Sequence, residues 1–264
     1  MAAYAMEWAA HRGTITLTHS WVLAIAYASA CAVWWSLSRV LPLWRESDRP
    51  QFAHPWREVG IVLLAILAVL VLGQLWVRGV RLPAEGAARP LFESLNQIII
   101  FAPVVAVPII RRHGWASAWI RRDSILTRLA IGMGIALLTL LVYSVLEQRA
   151  PSWPEAVRRV YDPARAHLAV QVLLEDLAIA ILFVRLSAAA GPRIAVLGVA
   201  ALFAAGHIPT MVASGATAGE FLALLRDFGL GVLVLGTIRR SADIAWFWPV
   251  HYSLDMTQFL TRTA

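Results

Sequence analysis

Eight stretches of this chain run for about 20 residues with almost nothing but apolar side chains, near positions 21–41, 58–77, 91–110, 124–146, 166–186, 193–212, 219–238 and 241–260. That is the length a helix needs to cross the roughly 30 Å hydrocarbon core of a bilayer. Inside lipid a backbone must satisfy its own hydrogen bonds, and these runs are too long and too uniformly apolar for the alternating strands of a barrel. The sequence therefore predicts an all-α, polytopic transmembrane bundle of about eight helices, a single integral membrane domain over residues 1–264. A hydrophobic share of 59% excludes an ordinary soluble domain.

The connections carry proline, tryptophan and arginine, as in "LPLWRESDRPQFAHPWRE" and "RRHGWASAWIRRD", and read as interfacial loops. All 23 basic residues are arginine. With the alanine-rich composition this points to a GC-rich bacterial genome, and so to a multi-pass protein of the bacterial inner membrane. The net charge of +7 does not imply nucleic acid, because the arginines sit beside the ends of apolar spans, where they anchor and orient. The connections after the odd-numbered spans are slightly richer in arginine, which predicts both termini on the outer side. "WVLAIAYASAC" resembles a lipoprotein-type leader, yet its apolar run continues through Cys31 into "AVWWSL", as an uncleaved first helix would. Cys31 is the only cysteine and reads as a packing residue.

Against this background the segment "VLLEDLAIA", residues 172–180, stands out, because Glu175 and Asp176 interrupt an otherwise apolar span. A charge at mid-bilayer costs several kcal/mol, so such residues face a protein-lined or watery interior. Two further spans add polar groups. In "ALFAAGHIPT" Phe203 precedes His207 by four residues, and in "FWPVHYSLDMTQF" His251 precedes Asp255 by four, so each pair shares a helix face. The other histidines (11, 19, 54, 113 and 167) lie in the N-terminal arm, at span edges or in loops, where no chemistry is expected. A glutamate and a histidine can deprotonate water while a second histidine donates to the oxyanion of an attacked amide. The same residues, Glu175, His207, His251 and Asp255, are also a sufficient ligand set for zinc with an open water position. Both routes lead to hydrolysis.

The order of these motifs, the glutamate–aspartate pair, FxxxH at 203–207 and HxxxD at 251–255, resembles that of the CPBP intramembrane proteases, the family of the CAAX prenyl endopeptidase and bacterial Abi-type proteins. The resemblance covers roughly residues 165–260. It implies an intramembrane endopeptidase acting on a peptide or protein substrate, with Glu175 as catalytic carboxylate, His207 as its partner in activating water, and His251 with Asp255 holding the oxyanion or a metal. Asp176 and Phe203 would support them. The family's first motif is usually EExxxR; here Asp176 replaces the second glutamate and Ala180 stands where the arginine should be. Arg185 lies about 13 Å further along the helix on nearly the opposite face and reads as a cap at the membrane edge. Arg226 could supply the missing cation from a neighbouring helix, or pair with Asp227. In the last motif Asp255 stands where the prenyl endopeptidase has an asparagine, and an ionised aspartate cannot donate to an oxyanion.

Two other functions fit the same residues: a non-proteolytic scaffold or immunity-type binding protein, and a proton-coupled transporter, although no repeat-related pair of interrupted helices is visible. The "WFWP" tract before His251 reads as an interfacial aromatic belt, and "PSWPEAVRRVYDPARAH" as an amphipathic linker.

Overall fold

A computed structural model describes residues 17–41, 50–83, 86–121, 123–147, 150–213 and 215–260. Among them there are helices and no strands. The helices are α1 (Leu17–Val40), α2 (Pro55–Val77), α3 (Arg89–Ile110), α4 (Ile125–Leu146), α5 (Trp153–Val160), α6 (Ala166–Ala190), α7 (Pro192–Ala205), α8 (Ile208–Ala213), α9 (Ala218–Ser241) and α10 (Phe247–Met256). Six of these segments are long and apolar enough to cross a membrane, those built on α1, α2, α3, α4, α6 and α9. The chain is a multi-pass helical bundle.

Among the described residues the two remaining runs hold no single helix long and apolar enough to cross a membrane. The sixth run breaks at Gly206–His207 into α7 and the short α8, and 14 helical residues reach only about 21 Å. The eighth is held to the ten residues of α10, about 15 Å. Apolar composition sets how much of a segment can enter lipid, but a tight turn or a buried ion pair decides where its helix starts and stops.

α6 is the central helix. Some 61% of its most apolar window is buried inside the protein, against 22–44% for the other five spans, whose outer faces carry exposed leucine, isoleucine and valine. It packs against α2, α3, α7 and α10. Gly191 ends it with φ +89, a conformation glycine adopts without penalty, and Pro192 opens α7 at once. α7 is thereby folded straight back along α6.

The start of α10 is pinned from several directions. The Nε of Arg128, on α4, meets Asp243 Oδ2 at 2.8 Å, with both side chains fully buried. Asp243 Oδ1 accepts from the Ala245 N–H at 3.0 Å, and the Ile244 N–H donates to the Trp119 carbonyl at 3.1 Å. Trp246 stacks on Trp34 of α1 with ring centroids 5.1 Å apart, and its backbone lies directly on Gly132 of α4. The "WFWP" tract is therefore an interior wedge: Trp246 and Phe247 are buried, and Trp248 donates its Nε1–H to the Ala169 carbonyl of α6 at 2.8 Å. The expected interfacial belt is not where these rings lie, because aromatic area buries as readily against protein as against headgroups.

Candidate active site

Glu175 and Asp176 leave the middle of α6 on adjacent faces, since successive helical residues are about 100° apart. Asp176 is buried and turned towards α10. There the Nδ1–H of His251 donates to Asp176 Oδ1 at 2.8 Å. An ionised carboxylate can only accept, so this contact holds the proton on Nδ1 and turns Nε2 to the opposite side. On that side Asp255, one turn along α10, brings Oδ1 to 3.6 Å from Nε2, beyond hydrogen-bonding distance. Phe247, one turn earlier, stacks on the imidazole with centroids 5.3 Å apart. His251 is thus clamped between two carboxylates and an aromatic face.

Glu175 is half-buried. Its Oε1 accepts from the Nε2–H of Gln171, one turn earlier on α6, at 3.0 Å. Gln171 is itself buried, a functional partner absent from the sequence expectations, whose signal is a glutamine four residues before an intramembrane glutamate. Glu175 is close enough to His207, His251 and Asp255 to act on each electrostatically.

His207 is not in mid-helix. It occupies the turn between α7 and α8, with its ring edge-on to Phe203 at 5.3 Å and 90°, so the expected pairing within FxxxH is a ring contact across a helix end. Asp227 and Arg226 of α9 also act on it electrostatically. Arg226 is bound to Asp227, with Nη2 at 2.7 Å from Oδ1, the second of the two roles open to it from sequence.

Three expectations change. Arg185 is not a membrane-edge cap: its side chain is fully buried, donating to the carbonyls of Ser117 and Ile181 at 3.3 and 3.0 Å and to His113 Nδ1 at 3.1 Å. His113, expected to be an inert loop residue, is its acceptor. The third concerns zinc. Among the described residues no group of three or more histidine, cysteine, aspartate or glutamate side chains is disposed to hold a metal ion. The ligand set that Glu175, His207, His251 and Asp255 offered as one of two routes is therefore not assembled for a metal ion among the described residues. Ala180, one turn beyond Asp176, is fully buried in the apolar core.

The chain matches no family model, no curated protein and no solved structure.

Proposed function

We propose that the chain is an intramembrane endopeptidase of the CPBP type, with Glu175 and His207 activating water and His251 serving the oxyanion. One observation carries the reading: the 2.8 Å contact between His251 Nδ1 and Asp176 Oδ1, which joins the first and third motifs inside the bundle. As water attacks the amide carbon, its proton passes to the Glu175 carboxylate and the carbonyl electrons move onto oxygen. The oxyanion accepts a hydrogen bond from Nε2–H of a doubly protonated His251, whose positive charge the neighbouring Asp176 and Asp255 favour. Collapse breaks the C–N bond, and the departing amine takes the proton held by Glu175. Asp176 acts through His251 and is a positioning residue, as Gln171 is for Glu175. Substrates would be peptides or proteins that reach membrane depth, and the use of arginine for every basic residue, with the alanine-rich composition, extends the proposal to the bacterial inner membrane.

A second reading has one observation in its favour. Ala180 leaves the first motif without its cation, and Arg226 is engaged by Asp227, which suits a scaffold or immunity-type protein that binds a peptide without cutting it. Wild type and Glu175→Gln, reconstituted in lipid, are to be given a diverse peptide mixture and the products read by mass spectrometry. Products made by wild type and lost in the variant support the protease. Identical product sets, or none from folded protein, transfer the weight to the binding reading.

A further inference from the structure

Away from the candidate active site, a second polar cluster lies where α2 begins and α3 ends. Glu58, in the first turn of α2, is buried. Its Oε1 accepts from Nε and Nη2 of Arg111 at 3.0 and 2.6 Å. Its Oε2 faces His113 Nδ1 at 3.8 Å and Arg185 Nε at 3.9 Å, both beyond hydrogen-bonding distance. Phe52 closes the group, with Arg185 over its face at 5.2 Å and His113 edge-on at 4.9 Å.

Among the described residues the charges of this cluster do not balance. Two guanidiniums share one carboxylate, and Arg185 Nε, fully buried, has no hydrogen-bond acceptor. His113 offers Nδ1 as acceptor to Arg185, which requires that nitrogen to be unprotonated. The surplus positive charge is poorly screened, because Arg185 is sealed from water. Arg111 carries it outward, since 37% of its side chain is exposed. Beside it the exposed Arg57 neighbours Glu58, and the exposed Arg112 neighbours Arg111. Trp56 (64% exposed), Ile109 (58%) and Ile110 (76%), chain neighbours of Arg57 and Arg111, add exposed apolar surface to the same helix ends.

Arginines at span ends are ordinary anchors and specify no ligand by themselves. This group differs in having a buried cation with an unfilled donor behind the exposed ones, and lipid-facing aromatic and aliphatic side chains around them. We propose that this end of α2 and α3 is a binding site for the phosphate of an anionic phospholipid, held by Arg57, Arg111 and Arg112 with the acyl chains along Trp56 and Ile110. A zwitterionic headgroup offers the same phosphate but carries an ammonium that the surplus charge repels, so the site discriminates by net charge.

The test is native mass spectrometry of the delipidated full-length protein given equal amounts of phosphatidylglycerol and phosphatidylcholine. Wild type should retain phosphatidylglycerol in preference. Arg57→Gln/Arg112→Gln leaves the Glu58 network intact and should lower that preference by about fivefold for each arginine removed. Arg78→Gln, at the opposite end of α2, should leave it unchanged, and circular dichroism reports whether each variant is folded. Equal retention of both lipids by wild type, or an unaltered preference in the folded double variant, overturns the proposal. Displacement of phosphatidylglycerol by millimolar inorganic phosphate also overturns it, by making the site one for free phosphate.

Discussion

His251 and Asp176 are 75 residues apart in sequence and 2.8 Å apart between Nδ1 and Oδ1, a contact buried between α10 and α6. Removing one member strands the other's polar group away from water. Asp176→Ala should therefore cost about 3–5 kcal/mol, read as a fall in the thermal unfolding midpoint in detergent. Asp176→Asn keeps an acceptor for Nδ1–H and should recover most of that stability, while peptide cleavage still falls at least about tenfold because the carboxylate in direct contact with His251, which favours its doubly protonated form, is gone. Full cleavage by the folded asparagine variant would remove Asp176 from any part in positioning.

Gly132 tests how tightly α10 is seated. A Cβ there would lie 2.3 Å from the Trp246 carbonyl oxygen and 2.7 Å from its Cα, and backbone atoms cannot move aside as a side chain could. Gly132→Ala should destabilise by about 1–3 kcal/mol or more, despite alanine's better helix propensity. Gly134, two residues on with open space around it, is the control, and Gly134→Ala should be neutral or stabilising in the same melt.

Asp243 and Arg128 form a fully buried ion pair. Arg128 has a further carboxylate in Asp123, at 3.1 Å and largely exposed, which offsets little. Asp243→Asn should therefore cost about 3 kcal/mol. Because Asp243 fixes where α10 begins, cleavage should fall further than the loss of folded protein explains, measured as activity per folded molecule. Asp123→Asn should cost under about 1 kcal/mol.

His113 makes stability depend on pH. Burial first, and then the nearby Arg185 guanidinium, lower its pKa below the ordinary histidine value, with Glu58 opposing. The unfolded chain thus binds the proton more readily than the folded one, so this contribution is complete above about pH 6.5. It is lost as pH falls from there through the lowered folded value. Wild type should show a declining unfolding midpoint across that acid window. His113→Gln, which keeps an acceptor for Arg185 without titrating, should flatten that part of the curve; an unchanged slope would mean that other groups carry it.

Apolar runs long enough for a bilayer determined the all-α bundle directly, because in lipid the backbone has no partner except itself. Helical spacing determined that His251 and Asp255 share a face, since residues four apart lie on one side of a helix whatever surrounds it, whereas Phe203 meets His207 across a turn that the spacing did not foresee. Intramembrane polarity singled out Glu175 and Asp176 for the same reason that lipid rejects charge. Tertiary structure alone decided which carboxylate meets His251, because Asp176 and Glu175 are chain neighbours and only the placement of α6 against α10 distinguishes their faces. It also decided that the eighth run stops short, that Arg185 goes inward to His113 and Ser117, and that Trp246 wedges on Gly132. Each of these depends on contacts between residues distant in sequence, whose geometry no local pattern of hydrophobicity or spacing encodes.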